Sequence, residues 1–104
     1  LNDFLRAHNR RVTLNEIKAQ VAAYYKIKVS ELESTCRRRE FVRPRQVGMY
    51  LSRVLTQRSY PEIGRSYRRD HTTIIHGFER IRARCESDPA LAADIEAIKR
   101  LFRD

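Results

Sequence analysis

Between Ser59 and Arg80 the chain gathers most of the side chains that could do chemistry: Ser59, Glu62, Ser66, Asp70, His71, Thr72, Thr73, His76 and Arg80. Catalysis is the first chemistry to weigh. Asp70, His71 and Ser66 or Ser59 have the residue types of a hydrolytic triad, but no strained nucleophile turn and no second oxyanion donor accompany them. Asp70 has a simpler use as a helix N-cap, where its carboxylate accepts orphan N–H groups at the positive end of the dipole. His71 and His76 are five residues apart, so they do not share the face that a His-x-x-x-His metal site needs. No G-x-x-x-x-G-K-[S/T] run occurs, so no P-loop is expected. The chain therefore reads as a non-enzyme with no metal, no cofactor and no small-molecule substrate, and recognition is the chemistry left.

The elements that must position these residues are legible in the same stretch. Ser59 and Glu62 have capping-box spacing, and Pro61 suits a first helical turn, where a missing N–H costs nothing. A tight turn follows, and Asp70 opens a second helix. On a wheel of 100° per residue, Ile74, Phe78, Ile81 and Cys85 gather on one side, with Thr73, His76 and Arg80 roughly 130° away. A helix packed by one face and offering hydroxyl, imidazole and guanidinium on the other suits a DNA major groove. The pair reads as a helix-turn-helix. His71 fits either of two uses, stacking or hydrogen bonding on a base edge, or contact with a phosphate.

Charge supports the same partner. The 104 residues carry 22 Lys and Arg against 13 Asp and Glu, a net charge of +9, with nearly all the excess arginine. Arginine forks onto phosphate and guanine better than lysine does. A merely solvated basic surface is the plain alternative, and the clustering of the arginines argues against it. Arg37, Arg38, Arg39, Arg43 and Arg45 lie within nine residues, and Arg43 precedes Pro44, which biases it toward extended backbone. The run reads as an extended basic loop able to follow phosphates or place one arginine in a narrow minor groove. Pro44 then sits inside the start of a longer helix, with Arg45 and Gln46 in its first turn as phosphate clamps. Its stripe of Val47, Leu51, Val54 and Leu55 is assigned to the core.

The rest of the chain is scaffold. Residues 1–11 read as a short amphipathic lead-in or interdomain linker helix through Leu1, Phe4 and Leu5, with docking on a neighbouring domain or an acidic membrane surface as its weaker functional reading. Residues 12–104 form the domain. Thr13 and Glu16 make a capping box ahead of Leu14, Ile17, Val21 and Tyr24 or Tyr25, and Ser30 with Glu33 makes another ahead of Leu32. Asp88-Pro89 restarts a last helix whose Leu91, Ile95, Ile98 and Phe102 read as core. Cys36 and Cys85 lie far apart and outside any CxxC spacing, so both are expected as reduced thiols in a cytoplasmic, nucleoid-associated protein, with Cys85 in the core. No apolar run reaches membrane-spanning length and no secretory leader is visible. No stripe is left over for a dimer, so a monomer is expected. The fold class is all-α, a compact multi-helix domain with a helix-turn-helix and a basic loop, of the Trp-repressor-like kind.

Four blocks carry a resemblance: Ala23-Tyr24-Tyr25-Lys26-Ile27-Lys28-Val29, Arg43-Pro44-Arg45-Gln46, Pro61-Glu62-Ile63-Gly64 and Arg69-Asp70-His71-Thr72-Thr73. In this order, over Val12 to Phe102, the chain resembles the C-terminal DNA-binding domain of the bacterial replication initiator DnaA family. The resemblance implies binding of short asymmetric DnaA boxes in double-stranded DNA. It implies that Asp70, His71, Thr72 and Thr73 enter the major groove, with Thr methyls against thymine methyls and Asp70 accepting from a cytosine amine, and that Arg37 reads the minor groove. Arg45, Gln46 and Arg80 would contact phosphates, and Arg39, Arg43, Pro61, Arg68, Arg69 and His76 complete the expected phosphate set. ATP would bind an upstream domain of a full initiator. The departures carry expectations of their own. Arg68 stands where glycine is usual and is strained by about 1 kcal/mol or more if the turn needs positive φ. The Tyr67 hydroxyl needs a partner, and Gly77 lets its helix approach a neighbour or the DNA. Tyr60 replaces a common Leu at the edge of the DNA face. Three roles fit these residues: the last domain of an initiator, a small stand-alone regulator with an altered DNA target, and, in another class, a basic interaction module for an acidic partner.

Overall fold

The computed structural model describes residues 12–34, 39–56 and 58–102. Six helices make up the described fold: α1 Leu14–Tyr25, α2 Val29–Glu33, α3 Arg39–Thr56, α4 Tyr60–Tyr67, α5 His71–Cys85 and α6 Pro89–Arg100. No strand occurs among the described residues, so the all-α expectation holds. The lead-in segment 1–11, with Cys36, Arg37 and Arg38, lies outside the described residues, as does the side chain of Arg39. None of the described helices is long and apolar enough to cross a membrane.

Local signals start the helices largely where the sequence places them. Thr13 Oγ1 accepts the Glu16 N–H at 3.1 Å while Glu16 Oε1 accepts the Thr13 N–H at 3.2 Å. Ser59 and Glu62 form the same reciprocal box at the start of α4, and Asp88 caps α6 through the Leu91 N–H at 3.1 Å. One start shifts. α2 begins at Val29 after Lys28, whose N–H is bound by Glu31 Oε1 at 2.7 Å, so the expected cap at Ser30 falls inside the helix.

The larger correction concerns the arginine run. α3 covers Arg39–Thr56 and passes straight through Pro44, so Arg43 and Arg45 are helical and no extended loop occupies that part of the chain. Proline in a helix interior removes one N–H donor from the helical ladder. Tertiary contacts outweigh that local cost: Pro44 is buried, Arg43 is paired with Asp88, and Arg45 is bonded to α2.

α3 is the central strut between two apolar clusters. On one side Val47 and Leu51 pack with Ile17, Val21, Leu32, Ile81, Leu91 and Ile98. On the other, Met49 packs with Ile63, Tyr67 and Ile74 beneath the helix-turn-helix. The expected stripes hold with exceptions: Val54 and Tyr24 are exposed, Met49 and Ser52 are buried in their place, and Cys85 is only half-buried at the core margin. Phe78 is likewise half-buried, stacked on Tyr50 at 5.2 Å and edge-on to Tyr60 at 6.2 Å.

Two of the sequence departures have physical explanations. The Tyr67 side chain is fully buried, and its hydroxyl lies 3.1 Å from Ser52 Oγ. Burial of the ring pushes the phenol above its ordinary pKa, so it remains a neutral hydrogen-bonding group. The room for that hydroxyl comes from Gly48, where a Cβ would lie 2.6 Å from Tyr67 Oη and 3.4 Å from Cζ. Gly48→Ala is therefore expected to cost about 1–3 kcal/mol by overpacking. Tyr67→Phe alone should cost about 1 kcal/mol. The double variant should recover most of the Gly48→Ala loss, because the clashing atom has gone and alanine favours helix. Urea denaturation of all four proteins measures this coupling, and strict additivity would refute it.

Arg68 ends α4 with φ 57° and ψ 44°, the left-handed conformation in which the resemblance expects a side chain to be strained. Such a residue costs roughly 1–2 kcal/mol, and glycine avoids this while losing about 0.5–1 kcal/mol of chain entropy. Arg68→Gly should raise stability by about 0.5–1 kcal/mol, seen as a higher urea midpoint at unchanged slope.

Candidate nucleic-acid interface

α4 and α5 meet across the short turn Arg68–Asp70. The Arg69 N–H donates to the Gly64 carbonyl at 2.8 Å and the Arg68 N–H to that of Arg65 at 3.2 Å, closing α4. Asp70 then caps α5, accepting the Thr72 N–H at 3.1 Å. Hydrogen bonds from the Thr72 side chain and backbone hold the exposed Asp70 carboxyl below its usual range, so it is ionised at neutral pH. His71 Nδ1 lies 3.7 Å from Asp70 Oδ1.

α5 divides into the two faces its periodicity implies. Ile74, Gly77 and Ile81 are buried, whereas His71, Thr72, Thr73, His76 and Arg80 are exposed. Gly77 sits against α3, where a Cβ would come within 2.9 Å of Met49 Sδ. Of the two uses the sequence allows this glycine, close approach to a neighbouring helix is the one observed. The tight crossing leaves a cleft of ≈ 360 Å³ along one side of α5, lined by Gln46 and Arg45 from α3, Arg69 from the turn, and Thr73, His76 and Arg80.

The expected site residues thus divide into three groups. Asp70, His71, Thr72, Thr73, His76, Arg80, Arg68 and Pro61 are exposed on the helix-turn-helix, and Gln46 reaches the same cleft. Arg43, Arg45 and Arg69 are brought close but held by the protein. Arg43 Nη2 pairs with Asp88 Oδ2 at 2.7 Å. Arg45 is 6% exposed, donating from Nε to the Leu32 carbonyl at 2.9 Å and from Nη2 to that of Glu31 at 3.1 Å. Seven residues into α3, it does not meet the free N–H groups of a first turn, so the fold does not build the expected first-turn clamp there. Arg69 Nη2 donates to the Ser34 carbonyl, and its buried Nε has no hydrogen-bond partner. Arg45 and Arg69 together anchor the end of α2 to the floor of the cleft. The third group, Arg37 and the Arg39 side chain, lies outside the described residues.

Sequence reading missed Lys18. Although a lysine, it is 3% exposed, and it joins α1, α2 and α4 by donating to Glu33 Oε2 at 2.6 Å and to the Ser66 carbonyl at 3.0 Å. Its position on the α1 wheel within about 60° of Leu14 and Val21 is the hint the sequence offers. Among the described residues no cluster of His, Cys, Asp or Glu could hold a metal ion.

Capped helix, tight turn and half-exposed second helix on an all-α scaffold define a helix-turn-helix module. Residues 14–81 match the family model described as the bacterial dnaA protein helix-turn-helix. The chain belongs to that family. It is similar to the chromosomal replication initiator protein DnaA of Gluconobacter oxydans, 44% identical over 103 residues, 98% of this chain and 22% of that protein. It is 47% identical to the DnaA protein of Ehrlichia ruminantium strain Gardel over 104 residues, 99% of the chain and 22% of the relative. The DnaA protein of Roseobacter denitrificans is 44% identical over 105 residues, 100% of the chain and 23% of the relative. The chain thus spans between a fifth and a quarter of the length of these relatives.

Proposed function

We propose that this chain binds double-stranded DNA through its helix-turn-helix, recognises DnaA-box-like sites, and serves replication initiation or its control as one domain of a longer protein. The observation that carries this is the division of α5: Ile74 and Ile81 are sealed against the core while Thr72, Thr73, His76 and Arg80 stand exposed beside a basic cleft. Thr72 and Thr73 offer methyl groups to thymine, and Asp70, already ionised, offers an acceptor to a cytosine amine. His71 enters the groove with them as a base contact. Gln46, Pro61, Arg68, His76 and Arg80 face backbone phosphates, with Arg43 beside them, and the resemblance assigns Arg39 to a phosphate and Arg37 to the minor groove. Residues 12–104 act as the binding unit, monomeric and cytoplasmic, with 1–11 as a lead-in.

A salt-matched titration against a DnaA-box duplex and a scrambled duplex tests the reading. A preference of about a hundredfold, near 3 kcal/mol, is expected for the box. Equal and steeply salt-dependent binding to both would overturn box recognition and favour an altered target. Thr73→Ala should cost on the order of 1–3 kcal/mol on the box and little on scrambled DNA. Equal losses on both would remove Thr73 from base reading.

A further inference from the structure

The cleft beside Thr73 and His76 does not end at Arg80. Val42, Gln46 and Arg80 form a common wall with a second depression of ≈ 630 Å³, which runs on to Arg84, Arg43 and Asp88. Thr73, His76, Arg80 and Arg84 follow at spacings of three, four and four, so they form one stripe along α5 about 16 Å long. Arg80 and Arg84 are both exposed and, among the described residues, neither is in an ion pair. Arg82, about 180° from Thr73 on the wheel, is paired with Glu79 at 2.8 Å. The one acid lining the second depression, Asp88, accepts from Arg43 at 2.7 Å, which offsets its charge. The helix therefore neutralises an arginine that points away from the groove and leaves uncompensated the two that line it.

We infer that Arg84 is a further phosphate-binding residue, which takes the DNA backbone beyond the contact made by Arg80 and lengthens the footprint of the reading helix. Four residues, a rise of about 6 Å along the helix axis, separate Arg80 from Arg84. A helix whose N-terminus enters the major groove carries its C-terminal half outward across the sugar-phosphate rim, where successive phosphates lie. Val42, Ile81 and Leu91 wall the depression with apolar surface, which lowers the local dielectric and strengthens the attraction for an anion. The inference rests on the duplex-binding reading above.

The test compares salt dependence for the unsubstituted protein, Arg84→Ala, Arg84→Lys and Arg82→Ala on box and scrambled duplexes. Arg84→Ala is expected to flatten the log–log slope by about 0.9 and to weaken binding about fivefold at 0.15 M salt, equally on both duplexes. Arg84→Lys should restore most of the slope, and Arg82→Ala should leave it unchanged. An unchanged slope for Arg84→Ala with box preference intact would overturn this inference alone. An equal flattening for Arg82→Ala would also overturn it, since any positive charge would then serve. Failure of the unsubstituted chain to bind either duplex would overturn the functional reading and this inference together.

Discussion

Gly64→Ala is expected to cost about 2–3 kcal/mol of stability and to weaken DNA binding even where the variant remains folded. A Cβ at Gly64 would lie 2.6 Å from the Arg69 carbonyl oxygen and 3.3 Å from the His71 N. Both are backbone atoms of the turn, so no side chain can rotate to relieve the overlap. The need is for space alone, because Gly64 does not have positive φ. Relief requires the turn to open, which lengthens the 2.8 Å bond from the Arg69 N–H to the Gly64 carbonyl and displaces the cap at Asp70. The gain in helix propensity of about 1 kcal/mol offsets only part of a backbone overlap. Urea denaturation gives the stability change, and titration well below the unfolding midpoint gives binding. Wild-type stability in Gly64→Ala would show that the turn has slack and would sink the argument.

Glu33→Gln is expected to destabilise by about 3 kcal/mol, while Lys18→Met should cost clearly less. The Lys18 ammonium is buried, with Glu33 Oε2 at 2.6 Å, the Ser66 carbonyl at 3.0 Å and the Tyr67 ring centroid at 5.4 Å. Removing only the anion leaves a desolvated cation, the costly half of a buried pair, whereas removing the cation takes away the group that needed compensation. Methionine keeps the length and apolar contacts of the lysine stem. Glu33 is 26% exposed and can turn its carboxylate to water when Lys18 is gone. A Glu33→Gln loss below about 1 kcal/mol, or a larger loss for Lys18→Met, would reverse this assignment. Since Lys18 also bonds to α4, Glu33→Gln should loosen the helix-turn-helix, visible as faster amide exchange in Ser66 and Tyr67.

The outward face of α5 was legible because it depends on local rules. Capping at Ser59, Asp70 and Asp88 uses side-chain oxygens within three residues of the N–H groups they bind, and the faces of α5 follow from the angle between successive side chains. Strain at Arg68 was an expectation of the resemblance, in which glycine is usual at that turn, and the left-handed φ of Arg68 meets its condition.

By itself, then, the sequence determined the helical class, the helix-turn-helix and the residues that α5 offers outward. The tertiary structure decided what becomes of the basic residues. Lys18 and Arg45 look like surface cations in one dimension, yet they lie inside because their partners, Glu33 and Ser66 for one and Leu32 and Glu31 for the other, come from different helices. Pro44 reads as a helix start and is instead carried within α3, held by Arg43 on Asp88 and Arg45 on α2. The physical reason is common to all three. The cost of a buried charge or an interrupted helix is local and can be read from sequence, whereas the contacts that offset it join residues 13 to 48 positions apart and exist only once the helices have packed.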